Sequence, residues 1–242
     1  MHSATAVFGY ALLTALATGL GAVPFAFVST VSLRAVAYAN AVASGLMLGA
    51  SFGLLTEGTR FGAWQAVVGA LLGVLFIFAT DRFLKGREVG FGRARGAGAR
   101  RMLMIVAVMT AHSFSEGVAV GVAFGGAATL AAVVTLAIAV HNVPEGLAIS
   151  AVLRPQGISV LGCAGWSIIS SLPQPLMAVP AFLFVETFAP ALPYGLGFAA
   201  GAMIFMVLVE LLPEAYEQAR KAAVATLVSL TLVAMVLFQR YL

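Results

Sequence analysis

The sequence predicts an all-α polytopic membrane protein: eight transmembrane helices, with spans 1–3 and 6–8 forming an inverted repeat around spans 4–5. Three observations lead there. Of 242 residues, 62% are hydrophobic and only 9% are charged, whereas soluble domains carry about 25% charged residues. Eight apolar segments each reach the roughly 20 residues that a helix needs to cross the hydrocarbon core. Finally, an offset of 156 residues lays the first two of these segments on the sixth and seventh without a gap.

The segments fall at about 4–26, 37–58, 62–81, 102–125, 128–152, 157–185, 194–216 and 221–241. Residues Met1 to Tyr10 lack a basic leader and a small-residue cleavage site, so they read as part of the first span rather than a cleaved signal. The second span is interrupted by Asn40 and Ser44, and the sixth by Pro173, Pro175 and Pro180. The 26 glycines suit close helix packing in lipid. With the length spent on spans, residues 1–242 read as one transmembrane domain.

Residues 82–101 form the one long polar connection. Its Gly- and Arg-rich composition predicts a flexible, solvated segment that serves as an orientation signal, with anionic lipid as a sharper alternative partner. With the N-terminus outside, eleven Lys and Arg fall on the cytoplasmic side against two outside, Arg60 and Arg240. The positive-inside rule therefore puts both termini outside the cytoplasm, in a plasma or inner membrane. The net charge of +4 reads as topology rather than as a nucleic-acid surface. A single cysteine, Cys163, excludes a disulfide framework and a Cys-rich metal site.

In the 156-residue offset, Leu20, Ala22, Val23 and Pro24 match Leu176, Ala178, Val179 and Pro180. Tyr38, Ala43, Gly45, Met47 and Leu55 match Tyr194, Ala199, Gly201, Met203 and Leu211. Five spans, an odd number, separate the partners, so the copies have opposite orientations. Inverted repeats are a recurrent transporter architecture, with the site near the midplane between them.

The chemistry falls in the two spans between the repeats. Two of the three histidines stand there, in His112-Ser-Phe-Ser-Glu116-Gly117 and His141-Asn-Val-Pro-Glu145-Gly146. Residues i and i+4 share a helix face, so each His stands one turn from its Glu. The short Gly125-Gly126-Ala127 link makes the spans antiparallel neighbours. Two imidazoles and two carboxylates then converge on one volume. Each ionised group at mid-bilayer costs roughly 3 kcal/mol or more, and a divalent cation satisfies all four together. Nitrogen and carboxylate oxygen suit Zn²⁺ and neighbouring transition metals.

Other residues extend the candidate site. Ser113 and Asn142 follow each His and offer oxygens. Pro144 leaves the Val140 carbonyl without its helical donor and is expected to kink the helix. Gly117 and Gly146 permit close helix approach. Ser170 to Pro175 breaks a helix at membrane depth, where Gln174 offers a neutral oxygen. Glu210 and Glu214, toward the cytoplasmic end of the seventh span, are candidates for a relay, the alternative being carboxylates that face Arg220 or Lys221. Glu57 ends the second span on the outer side as a candidate cation entrance, the alternative being a solvated cap.

These residues resemble the ZIP family of divalent-metal transporters over essentially the whole chain. The likeness rests on His141-Asn-Val-Pro-Glu-Gly-Leu-Ala, preceded 29 residues earlier by His112-Ser-Phe-Ser-Glu-Gly. The resemblance implies a homodimer, an elevator-like movement of the metal-carrying helices, and Zn²⁺ as the transported substrate, with Fe²⁺, Mn²⁺ and Cd²⁺ as other cargoes. It points to the compact prokaryotic branch, which includes relatives in plant organelles. The chain departs from the family pattern at Ser113 and Ser115, where Asn and Pro are usual, and at Gln174, where many members carry a bridging Glu. One principal ion follows, with any second site weak.

The leading expectation is zinc uptake into the cytoplasm through His112, Glu116, His141 and Glu145, with no enzymatic activity. An intramembrane metal-dependent hydrolase is the alternative, but the H-E-x-x-H order it commonly uses is absent. Haem ligation by His112 and His141 fits poorly beside two carboxylates, and a purely structural membrane protein leaves the buried charges unexplained.

Overall fold

The computed structural model describes residues 3–27, 32–84, 90–91, 94–125 and 128–241; the side chains of a few residues within these ranges, His141 and Ser115 among them, lie outside the description. The described chain is helical except for a two-residue antiparallel ladder, Gly90–Phe91 against Ala94–Arg95. Among the described residues, six helices are long and apolar enough to cross a membrane. Their outer faces expose large hydrophobic residues, including Leu13, Trp64, Leu71, Leu136 and Leu230. Water would penalise such a surface and lipid does not.

Helix α1, Ala4–Thr18, passes directly into a 3₁₀ segment, Gly19–Ala26. Glycine at positions 19 and 21 and Pro24 weaken α-helical propagation there. Helix α2, Leu33–Leu84, covers the predicted second and third spans and is broken only at Gly62, where the backbone is extended. Gly58 nevertheless stands against the side chain of Ala66, so the chain reverses sharply at the break. The expected inter-span loop is thus reduced to one residue.

Helices α3, Gly96–Gly125, and α4, Ala128–Leu153, follow the two motifs closely. Helix α4 stays one helix through Pro144. The predicted sixth span is two helices, α5, Val160–Ser171, and α6, Pro173–Leu183. They meet at Leu172, where Pro173 and Pro175 withdraw two donors. After a short α7, Val185–Phe188, comes α8, Leu192–Met206. A π-helical turn, Val207–Leu211, then leads into α9, Leu212–Gln218. Pro213 cannot donate to the carbonyl one turn before it, and the widened turn lies just upstream of it. Helix α10, Lys221–Tyr241, completes the chain.

The helices form two packed groups. In one, α1, α3, α4, α5 and α6 contact one another; in the other, α2 packs against α8, α9 and α10. The second group is zipped by small residues. Gly69 and Gly73 of α2 meet the backbone carbonyls of Tyr194 and Phe198, while Gly197 and Gly201 of α8 meet those of Ala66 and Ala70. Two reciprocal small-xxx-small rows bring the backbones together, as expected where dispersion and close approach drive association. Between the groups lies an apolar core rich in methionine: Met47, Met102, Met104, Met109, Met203, Met206 and Met235 are all buried in it.

The basic connection is corrected at both ends. Helix α2 continues to Leu84 and α3 begins at Gly96, so Arg82, Arg100 and Arg101 are helical rather than part of a solvated loop. Arg100 pairs with Asp81 at 3.1 Å, and Arg101 reaches into the protein. Lys85, Arg87 and Arg93 lie outside the described residues. A Gly201→Val substitution should destabilise the protein by overpacking, by about 1–3 kcal/mol. Thermal unfolding in detergent should show a clearly lowered midpoint, with a smaller effect for Gly201→Ala.

Candidate metal centre

Three polar side chains converge in the protein interior. His112 and Glu116 project from the same face of α3, one turn apart, and Glu145 comes from α4; all three are buried. The Nε2 atom of His112 lies 2.8 Å from Glu145 Oε1 and 3.4 Å from Glu116 Oε1. Each residue offers one ligand atom, and these atoms all lie within 4.8 Å of one another. Two carboxylates aimed at one imidazole nitrogen in a dry interior repel each other unless a cation lies between them. Nitrogen and oxygen donors at this spacing suit a Zn²⁺-sized ion with bonds of about 2 Å.

The remaining predicted residues are distributed as follows. His141 occupies its expected place on α4, one turn before Glu145, and its side chain lies outside the described residues. Ser113 is buried beside His112, and its hydroxyl has no hydrogen-bond partner among the described residues. Asn142 and Gln174 are fully buried next to the cluster. The structure changes the part Gln174 plays: its nitrogen, not its oxygen, faces the carboxylates, and Nε2 donates to Glu116 Oε2. Its Oε1 accepts from the Thr14 hydroxyl at 2.7 Å and from Asn142 Nδ2 at 3.1 Å. Asn142 Nδ2 also donates to the Thr14 carbonyl at 2.7 Å. That leaves Asn142 Oδ1 buried, with no partner among the described residues.

Helix α1 therefore contributes to the centre, which the sequence motifs did not reveal. Thr14 and Thr18 stand one turn apart in an apolar span, and both are fully buried. Thr18 shares a 2.8 Å hydrogen bond with Ser171 at the end of α5. Two polar residues at helical spacing were the available signal.

The outlying acids are placed elsewhere. Glu57 is exposed and pairs with Arg60 at 3.1 Å on the same helix. Glu210, in the π turn, and Glu214 both bind Arg101 of α3, at 3.2 and 2.7 Å. Glu214 also accepts from Asn40 of α2 at 3.1 Å. Where the alternative reading had Glu210 facing Arg220 or Lys221, the structure has an arginine from the other helix group. The widened turn and the helical extension of α3 bring these residues together.

An apolar chain of long helices, with a buried cluster of nitrogen and oxygen donor atoms on two of them, belongs to the class of multi-pass membrane proteins. The family model of ZIP zinc transporters matches residues 92–237, and the chain belongs to that family, whose members are transporters rather than enzymes. It is 46% identical over 241 residues to a putative zinc transporter of Arabidopsis thaliana; the match covers 97% of this chain and 39% of that protein, well under half its length. It is 32% identical to the zinc transporter GufA of Myxococcus xanthus, over 85% of this chain and 86% of that protein. With the zinc transporter ZupT of Corynebacterium glutamicum the identity is 33%, over 86% and 88% respectively.

The glycine that ends each motif sets how closely its neighbours approach. Gly117 lies against the backbone of Gln174, and Gly146 against the carbonyl of Thr18 and against Gly21. A Gly146→Val change should push α1 away and loosen the Thr14–Asn142 contact. Zinc affinity of the purified protein, measured by isothermal titration, should fall at least tenfold.

Proposed function

We propose that this chain carries Zn²⁺ across the membrane into the cytoplasm, binding it between His112, Glu116, Glu145 and His141. The observation that carries this reading is the convergence of three buried ligand atoms within 4.8 Å on two neighbouring helices. Asn142 Oδ1 and the Ser113 hydroxyl are further oxygens for the ion or its last water. Fe²⁺, Mn²⁺ and Cd²⁺ share the same donor preferences closely enough to compete.

The reading includes eight crossings. Six helices qualify outright; the break at Gly62 divides the 51-residue one into two, and α5 with α6 supplies another. The inverted repeat is supported by shared burial, since Ala22 and Ala178, Ala43 and Ala199, and Met47 and Met203 are buried pairwise. The charge bias favours both termini outside, and a homodimer and a domain spanning all 242 residues are part of the same proposal. Movement of the α1, α3–α6 group against the other helices would carry the ion. The methionine-rich interface suits such repacking, because the unbranched thioether adapts to changing surroundings.

Cytoplasmic release would proceed past Glu210 and Glu214, which Arg101 holds in ion pairs in the conformation described here. Glu57 remains a candidate for drawing cations to the outer face.

In proteoliposomes, zinc uptake should fall at least a hundredfold in His112→Ala and in Glu145→Ala. Normal uptake by either variant would sink the site assignment. Glu210→Gln should slow uptake severalfold while zinc affinity at equilibrium stays within twofold of wild type, which separates release from binding.

A further inference from the structure

We infer that Thr14, Asn142 and Gln174 act together as a specificity-determining chain that keeps Glu116 a one-oxygen ligand and thereby favours Zn²⁺ over larger divalent ions. The inference rests on the metal-centre reading above and concerns what selects among ions there. Thr14, Asn142 and Gln174 are positioning residues in this role.

The chain has a fixed polarity. The Thr14 main-chain carbonyl can only accept, so the Asn142 atom 2.7 Å from it must be the amide nitrogen. That nitrogen also lies 3.1 Å from the Gln174 side chain, so the Gln174 atom facing it must be the oxygen. The Thr14 hydroxyl, 2.7 Å from the same oxygen, can give its single proton there or to the carbonyl of Ala11, also at 2.7 Å. With its oxygen turned toward α1 and α4, Gln174 necessarily presents its NH₂ to Glu116, where it donates to Oε2. A backbone carbonyl on the first helix thus decides, through two amides, which face Glu116 shows. All four side chains are buried, so water does not compete for these bonds.

The consequence lies in ligand count. Glu116 Oε1 faces His112 Nε2 at 3.4 Å, while Oε2 is committed to Gln174. Chelation through both oxygens would weaken that bond, because Oε2 would have to serve the ion and the amide N–H at once in a dry interior. A tetrahedral ion such as Zn²⁺ needs one oxygen per carboxylate. Mn²⁺ and Ca²⁺ take six or more oxygen ligands, and Ca²⁺ often takes bidentate carboxylates, so they lose more by the restriction.

The test measures Zn²⁺ and Mn²⁺ affinities by competition on purified full-length protein, with monodispersity and thermal midpoint recorded for each variant. In wild type, Zn²⁺ should bind and His112→Ala should abolish that binding. Gln174→Leu, which frees Oε2, should narrow the Zn²⁺-to-Mn²⁺ affinity ratio at least tenfold. Thr14→Val, which removes only the hydroxyl, should narrow it two- to fivefold, and Thr14→Ser should restore it. An unchanged ratio in folded Gln174→Leu and Thr14→Val overturns the inference while leaving the metal centre standing. Absence of Zn²⁺ binding in wild type, or its survival in His112→Ala, overturns the metal-centre reading and this inference with it.

Discussion

Two carboxylates and an imidazole share one dry volume, and the rest of the protein is arranged around that constraint. The Oε1 atoms of Glu116 and Glu145 both face His112 Nε2. Such a cluster has no structural advantage over apolar packing, since burying paired charges at best breaks even against hydrophobic residues of similar size. It is stable only when a cation or a full set of hydrogen bonds completes it. Gln174 supplies one such bond, to Glu116 Oε2, and the inward-facing Oε1 atoms of both carboxylates gather around His112 Nε2. Everything that holds α3, α4, α6 and α1 at fixed separation therefore bears on the geometry of this cluster.

Glycine provides that separation. Within the group of α1 and α3–α6, Gly117 and Gly146 let the Gln174 and Thr18 backbones approach within what a Cβ would occupy. Among the α2 and α8 helices, the reciprocal rows at Gly69, Gly73, Gly197 and Gly201 do the same. The two groups are thus each tight internally, whereas the core between them is rich in long, unbranched methionines. That contrast suits rigid groups that shift against one another, because close-packed interiors resist deformation and flexible side chains accommodate it.

Charge bridges the two groups at one end. Arg101 leaves α3 to bind Glu210 and Glu214 beside Asn40, and Arg100 binds Asp81 of α2 nearby. These pairs are partly buried and tie helices that otherwise meet through apolar contacts. The π turn above Pro213 helps to aim Glu210 inward. Such turns recur at functional positions because they rotate one side chain out of the helical register.

The sequence by itself determined the membrane class and placed His112, Glu116 and Glu145 on the faces of α3 and α4 that converge. Apolar length and the i, i+4 spacing are local properties that survive any helix arrangement. It also located the break before Gln174, since prolines act on their own helix. Tertiary structure alone decided what lies across from those side chains. The orientation of Gln174 depends on a carbonyl of Thr14, 160 residues away, and nothing in the local pattern encodes which end of an amide turns inward. Arg101 likewise read as part of a solvated connection until α3 extended by a turn and reached the acids of the π turn. The local code places side chains on faces; only packing decides which faces meet.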